Sequence, residues 1–556
     1  MTLEEVKSWT ASRPTLADAL GMEITEVHAD YIEGRMPVDG RTHQPMGLLH
    51  GGASVAFAET LGSLAAALRI DRTTQACVGL EINANHLKGV REGWVRGRAT
   101  PVHIGRSTQV WEIRITHEET GALVCISRIT MAVIDLPAAS PKADSMQTTS
   151  FRHLPWPAAT AGLDAPARLR HLVAGALRTG RPLAVWREPG APQPQLLAAR
   201  SLEDTYTGLP PALDDRAPAG FAFFPFRDSD HNPALFLPAD VHYDLARPEA
   251  VTVAPAAREL VPTLTAWMAM PTPAALAWHY SAQPAPPAAT EAEYTALVRR
   301  GVAAIEAREV VKVVSSRAAR RPLPPGFDPL ASFHELSEKY PRAFVSLVSV
   351  PSVGTWLGVS PEVLAEVTAD GQFHTMALAG TQPLVPGVPP QAVIWRQKEI
   401  EEQALVARYI VNCFKQLRLR EYHETGPRTV AAGELLHLRT DFEVDLQNVP
   451  NPSSLGTDML RLLHPTSAVG GMPKTAAMAF LQQHEGYDRA YYSGFLGPVN
   501  VEGPGIARLF VNLRCLQLRA TEAILYAGTG LTVDSEPERE WQETEMKMLT
   551  VGAVLN

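Results

Sequence analysis

Cysteine is scarce in this 556-residue sequence: there are four, Cys77, Cys125, Cys413 and Cys515, with no CxxC pair and no zinc-binding spacing. The scatter argues against a disulfide scaffold or a thiolate metal site and suits a reducing, cytoplasmic setting. Long apolar runs are missing too. The most hydrophobic helix-like stretch, Ala53–Leu68, carries Glu59 and is too short to span a bilayer. Met1–Thr10 contains Glu4 and Glu5 and lacks an apolar core, so no secretory signal is read there. Basic charge is not in excess: the formal net charge is −9, which gives no general drive towards nucleic acid. Internal repeats are absent. What remains, 46% hydrophobic and 20% charged residues, describes a globular chain too long for one ordinary core, so two or more domains are expected.

Residues 1–135 read as one small unit. A short helix (Leu3–Ser12) leads to a strand-like run from Met22 to Val38. The loop RTHQPMGLLHGG then opens a helix whose Ala, Val, Phe and Leu, nearly all round, predict burial. Strand patterns follow at Ala76–Leu87, Trp94–His103, Ser107–His117 and Ala122–Ile134. In the third, Gln109, Trp111, Ile113 and Ile115 share one face and Glu112, Arg114 and Thr116 the other. One buried helix and closely spaced strands suggest an antiparallel sheet wrapped around that helix. From 136 to 166 the composition turns to Pro, Ala, Ser and Thr, as in a stiffened linker. Residues 167–556 form a large α/β unit. Its first part, to about Pro286, has weak periodicity. Its second has clear helices (Glu291–Glu306, Ile394–Leu419, Lys474–Gln483) among strand-like runs such as Val310–Ser315, Ala343–Val350 and Ile506–Leu518.

In the first unit, Gln44 and His50 precede the helix, Gly51 and Gly52 open it, and Glu59 lies two turns inside. Free N–H groups at a helix start can polarise a thioester carbonyl. A buried Glu59 would have its pKa raised and suit a general base or nucleophile; a structural pair with His50 is the other reading. QPMGLLHGGASVAFAETLGS followed by VGLEINANHLKGVREGWVRG resembles the hotdog-fold acyl-CoA thioesterases of the PaaI-like group. The nearest branch includes the 1,4-dihydroxy-2-naphthoyl-CoA thioesterases and the proofreading thioesterase of enterobactin synthesis. The resemblance implies that Glu59 is the catalytic carboxylate and that Gly51 N–H polarises the carbonyl. Gln44 and His50 would orient substrate and water, with Ser63 nearby, and His86 would help hold CoA. Sites between two subunits, hence a homo-oligomer, are implied as well.

In the second unit, GTGLTVDSEPEREWQETEMK reads as a strand end, a Gly-rich turn and a helix with Ser535 as its cap and Pro537 in its first turn. Glu540, Glu543 and Lys547 share a face. The residues allow a solvated face with a Glu543–Lys547 pair, or a carboxylate pair aimed at a divalent cation with an ammonium beside it. Lys312, on the alternating strand VVKVVSSR, would have a lowered pKa if buried. Glu362 follows a Ser-Pro turn. Glu399, Glu401 and Glu402 begin a helix, where acids complement the dipole. Arg514 interrupts an apolar strand and wants an anionic partner. Each alone reads as structural more readily than functional.

Taken together, ALAGT, KEIEEQ, LHPTSAVGG, YYSGFLG, FVNLR and AGTGLTVDSEPEREWQET occur in the order of the chorismate-utilising enzymes, which the chain resembles from about 290 to 556. The resemblance implies Mg2+ held by Glu402 and Glu543, with Glu540 beside them. Arg514 and Lys547 would neutralise substrate carboxylate, with Gly380, Thr381, His464, Ala468 and Gly528 in the binding site. A lysine at Lys312 marks water-using members, where it deprotonates water while Glu362 protonates the departing hydroxyl. Lys312 and Ala468 together point to isochorismate as product. The sequence departs from the common pattern at Gln382, Gln403 and Ser467. The fold class expected is therefore α+β overall, a hotdog domain joined to a chorismate-utilising domain. The function expected is a fused isochorismate synthase and aromatic acyl-CoA thioesterase of menaquinone synthesis. Catecholate siderophore synthesis, a salicylate synthase, or a non-catalytic hotdog module are the alternatives; no nucleic-acid or membrane partner is expected.

Overall fold

The computed structural model describes Leu3, Val6, residues 15–135 and residues 152–556, apart from 29, 72–74, 106, 159, 161, 203–205, 208–212, 214–216, 272–274, 385–386, 434 and 450–451. Apart from Leu3 and Val6, the helix expected over Leu3–Ser12 lies outside the described residues, as does most of the expected linker. The chain folds into two compact units, Met1–Thr148 and Thr149–Asn556.

In the first unit a six-stranded antiparallel sheet wraps helix α1 (Gly51–Ala67). The strands are β1 (Glu23–Val27), β2 (Ile32–Pro37), β3 (Gln75–His86), β4 (Trp94–Ile104), β5 (Thr108–His117) and β6 (Leu123–Asp135), in the order β1-β2-β4-β5-β6-β3. Alternation on β5 works as its sequence predicts. Gln109, Trp111, Ile113 and Ile115 are buried, and the three apolar ones pack with Phe57 and Leu61 of α1 into one core. The helix is not buried all round, however. One face, which includes Glu59, stays open to solvent. Strand β3 is an edge strand, paired with β6 alone among the described strands.

The second unit is built on two large sheets, of eleven and nine described strands, in which every described pairing is antiparallel. Trp186, Phe344, Val348 and Trp356 of the larger sheet share a core with Phe221, Phe223, Leu235 and Phe510 of the smaller one, so the sheets pack face to face. The stretch of weak periodicity supplies strands to both sheets. Arg152–Pro155 pairs with Ala250–Val253 at the edge of the larger sheet. The linker expected over 136–166 therefore overlaps the first strand of this unit. Its four residues are too few to show alternation against a Pro-rich background.

Six elements position the second site. They are β7 (Lys312–Pro322), β8 (Gln372–Pro383), α2 (Gln397–Gln416), β9 (Leu435–Asp445), β10 (Glu522–Leu531) and α3 (Pro537–Gly552). Strand β7 pairs with β10 from Val313↔Leu531 to Pro322↔Glu522, and Gly471–Met472 pairs with its first two residues. Gly471 sits at φ 136°, and a Cβ there would stand 2.3 Å from the Lys312 carbonyl oxygen, so this close approach requires glycine. Helix α2 starts later than expected because Arg396 and Glu399 close a capping box there. Helix α3 is capped at Glu536 and not at Ser535, whose hydroxyl instead accepts from the Thr532 N–H at 3.1 Å.

Candidate active sites

In the first unit His50 is the N-cap of α1, and its Nδ1 accepts from Gly52 N–H at 2.8 Å. The Gly51 N–H has no hydrogen-bond partner among the described residues. Gln44 Oε1 accepts from the Met46 N–H at 3.0 Å, which bends the loop before the helix. His86, on β3, comes to the same place: its Nε2 lies 2.9 Å from where a Cβ on Gly51 would stand. Glu59 Oε1 lies 3.5 Å from the corresponding position on Gly79, again on β3. Ser63 is half-buried, with its hydroxyl 4.0 Å from the Met131 sulfur. Gln44, His50, Gly51 and His86 thus gather at the start of α1, with Glu59 two turns along towards β3. Glu59 is exposed, contrary to the burial expected from its apolar helix, because β3 covers that side of α1 only in part. No His50–Glu59 pair is formed among the described residues.

In the second unit a cavity of about 70 Å³ is lined by residues of both sheets. Val314 of β7 and Gly528 and Gly530 of β10 form one wall; Gly380 and Thr381 of β8 and His437 of β9 form another. Glu402 of α2, Lys547 of α3, Glu362, Ala468 and Arg514 complete it. Motifs scattered along the second half of the chain thus meet at one place.

Lys312 is fully buried, and its Nζ lies 3.1 Å from Glu402 Oε1. Gly530 makes room for that pair, since a Cβ on it would stand 2.1 Å from Glu402 Oε1 and 3.0 Å from Lys312 Cε. Glu362 is buried, and burial raises its pKa from the ordinary 4.5 to about 8, against the pull of Lys312, Arg514 and Lys547. It is therefore a carboxylic acid able to give a proton at neutral pH. Lys547 Nζ lies 2.6 Å from Glu543 and donates to the Gly528 carbonyl at 2.8 Å. The Glu543–Lys547 pair thus forms through its i,i+4 spacing on α3, on a face that is mostly buried and not solvated. Burial pushes the Glu543 carboxyl up, but Lys547 and Lys398 overcome it and hold it at about 2.

Two participants were not singled out from the sequence. Lys398 is mostly buried and pairs with Glu540, and its charge also acts on Glu543 and Glu402, so one ammonium serves three carboxylates. It is the first residue of KEIEEQ, where the acids draw attention away from it. His437 Nδ1 lies 2.8 Å from the Gly380 carbonyl oxygen, which can only accept, so Nδ1 carries the proton. Its Nε2 then accepts from Arg514 at 3.4 Å. Burial and the neighbouring Arg514 hold the ring neutral, with a pKa of about 3. Only alternation in LLHLRTDF marks His437 in the sequence. Arg514 takes a left-handed φ of 47°, a strained conformation for a non-glycine residue, and no carboxylate pairs with it among the described residues.

Other expectations fare differently. His464 does not line this cavity: its ring packs edge-on against Phe495 and shares a hydrogen bond with the Pro225 carbonyl at 3.1 Å. Glu401 is exposed and holds Gln397, whereas Glu399 is buried against Arg396. Gln403 fastens α2 to the smaller sheet through the Ala377 carbonyl and Thr440. Ser467 is buried, and Gln382 donates to the Ile394 carbonyl.

Among the described residues no three His, Cys, Asp or Glu side chains close around an ion position. The donor chemistry nevertheless fits magnesium, which takes hard oxygen ligands, commonly one or two carboxylates with waters and substrate oxygens. Glu402 and Glu543 carry oxygens of that kind, and Glu540 Oε2 is buried without a hydrogen-bond partner among the described residues. That orphaned oxygen is costly unless something binds it.

The site and the two folds define an enzyme with two catalytic units. Residues 268–556 match the chorismate binding enzyme family and residues 46–124 the thioesterase superfamily. The chain belongs to the chorismate binding enzymes, with an N-terminal unit that belongs to the thioesterases. That unit is 62% identical over 120 residues to ComA2 of Bacillus subtilis (strain 168), a protein named as an esterase; the match is 22% of this chain and 94% of that one. It is 49% identical over 134 residues to a proofreading thioesterase of Cronobacter turicensis, 24% of this chain and 95% of that one. The menaquinone-specific isochorismate synthase of Escherichia coli shares the fold of the second unit. Its TM-score is 0.56 at 20% identity, over 73% of this chain and 95% of that one.

Proposed function

We propose that the second unit isomerises chorismate to isochorismate and that the first hydrolyses an aromatic acyl-CoA, 1,4-dihydroxy-2-naphthoyl-CoA, in menaquinone biosynthesis. The observation that carries the first half is a buried acid and a buried lysine placed at one cavity, Glu362 in its lining and Lys312 behind Glu402. Glu362, with a pKa of about 8, lines that cavity with Glu402, Arg514 and Lys547, and the buried Lys312 reaches the cavity's wall through its ion pair with Glu402.

In this reading Arg514 and Lys547 hold the substrate carboxylates, and the backbone at Gly380 and Gly528 shapes the bed beneath them. Lys312 takes a proton from water as the water oxygen bonds to a ring carbon that bears no oxygen. Both conjugated ring double bonds shift, the C–O bond to the original hydroxyl breaks, and Glu362 gives that oxygen its proton. Atoms balance, and product differs from substrate only in the position of the hydroxyl and of the ring double bonds. His437, fixed as a neutral donor to Gly380, holds Arg514 in place. Bound Mg2+, held by Glu402 and Glu543 with Glu540 beside them, would neutralise the ring carboxylate. A lyase reading, giving salicylate and pyruvate, is separated by product analysis.

In the thioesterase unit Glu59 is the base or nucleophile, the Gly51 N–H meets the carbonyl oxygen, and Gln44, His50 and Ser63 orient substrate and water. His86 then lies where CoA would approach. Glu59 gains its enclosure from a second copy of the chain. The β3 edge with its exposed Val78 and Leu80, and the exposed Leu87 just beyond it, are the surface for such a homodimer. Similarity to a proofreading thioesterase favours a second reading, in which the two units serve catecholate siderophore synthesis. Comparing hydrolysis of dihydroxynaphthoyl-CoA with that of benzoyl groups on an acyl carrier protein decides it; strong preference for the carrier protein overturns the menaquinone reading.

A further inference from the structure

A second cavity, of about 590 Å³, meets the first at Pro361, Leu378 and Arg514, which line both. Its other charged lining residues are Lys339, Arg342, Arg428 and Arg439, and among the described residues none of its lining is acidic. In a chain of net charge −9, that concentration of one sign in one concavity is not what composition would place there. Asp441 lies behind the wall and pairs with both Arg428 and Arg439, offsetting one of their two charges. Its other neighbour, His374, is held protonated, with a pKa of about 9, and is balanced in turn by Glu366. Arg342, Arg514 and one of the two charges of Arg428 and Arg439 leave the cavity positive.

The cationic rim is also rigidly held. Arg187 is buried, and its guanidinium donates to the carbonyls of Tyr340 at 2.7 Å, Pro341 at 2.9 Å and Ala343 at 3.1 Å. This clamps the turn from which Arg342 projects into solvent. Arg342 forms no ion pair among the described residues and does not line the inner cavity.

We propose that this outer cavity is an anion-collecting antechamber, which draws a dicarboxylate in from solvent and hands it to Arg514. The proposal rests on the chorismate reading of the inner site. Clefts lined by one sign of charge concentrate oppositely charged ligands and speed association by about 10- to 1,000-fold, an effect that salt screens. Charges at a rim act on the association rate and its salt dependence, and little on dissociation.

The test is stopped-flow mixing of the full chain with chorismate, followed by tryptophan fluorescence, at low and high ionic strength; Trp395 packs against Gly380 and is a natural reporter. Wild type is expected to associate more slowly as salt rises. Arg342→Glu should associate about tenfold more slowly at low salt, with a flattened salt slope and an unchanged dissociation rate, while Arg342→Lys keeps wild-type behaviour. Equal association rates and salt slopes for wild type and Arg342→Glu would overturn the proposal. If Arg342→Glu fails to fold, Arg342→Gln and Lys339→Gln are read in the same way, each with a smaller effect of the same sign. Binding without turnover would sink the isomerase reading and leave the antechamber standing; absence of binding would sink both.

Discussion

Glu362, the acid in the proposed reaction, links turnover to stability through one proton. An unfolded glutamate titrates near 4.5 and this one near 8 in the folded chain, because burial disfavours its charge. Below 4.5 both states are protonated and the site costs nothing. Between 4.5 and 8 only the unfolded chain ionises, so stability falls as pH rises, and the loss is complete above about 8. Glu362→Gln should therefore raise the melting temperature at pH 8.5 and leave it nearly unchanged at pH 4.5. The gain is on the order of a few kcal/mol, and thermal melts at the two pH values read it. The same variant should lose about 100- to 10,000-fold in chorismate turnover, the usual worth of a general acid. In wild type, the kcat for chorismate should decline above pH 8 as the acid gives up its proton. A rate that continues to rise beyond pH 9 would remove Glu362 from the acid role.

At the level of elements, the site depends on strands and helices meeting where glycine leaves room. Gly530 of β10 backs the Lys312–Glu402 pair, and a methyl group there would strike the end of a flexible side chain, not backbone. Gly530→Ala should therefore fold, with a melting temperature within a few degrees of wild type, while Glu402 is displaced. Turnover should fall by about 100-fold and the magnesium requirement should rise, which a titration of rate against Mg2+ reads. How much of this was legible depended on whether a signal was local. The alternation of β5, the helix after QPMGLLHGG and the i, i+3, i+7 face of α3 are written in consecutive residues, and they form as read. Gathering the distant motifs in one cavity follows from sheet order, which no local pattern encodes; only the resemblance anticipated it. His437 and Lys398 escaped notice because one looks like any polar residue on a strand and the other sits in an acidic run. His464 misled for the opposite reason, since its loop is shaped by packing against Phe495 while Ala468, four residues on, lines the cavity. Exposure of Glu59 was hidden because α1 is apolar on a side that the sheet of a single chain does not fully cover.

Across the whole molecule, the two units carry separate chemistry on separate cores. Glu59→Ala should abolish acyl-CoA hydrolysis and leave chorismate conversion at the wild-type rate, and Lys312→Ala should do the reverse. Coupled assays on the two variants check this, and loss of both activities in either one would argue for interdependent units. Leu80→Glu, on the exposed edge of β3, should lower the molecular mass in solution towards that of a single chain and take hydrolysis with it, as light scattering and a thiol-release assay would report. Because isochorismate formation and thioester hydrolysis share no intermediate in the proposed pathway, fusion supplies matched amounts of two catalysts without requiring transfer between them. The central claim is that Lys312, Glu362 and the carboxylates of α2 and α3 form a water-adding chorismate site. Incubating the full chain with chorismate and Mg2+, and resolving the products, tests it most directly. Isochorismate should form with wild type, cease on chelation of the metal, and be absent with Lys312→Ala. Salicylate with pyruvate, or isochorismate undiminished in Lys312→Ala, would contradict the account.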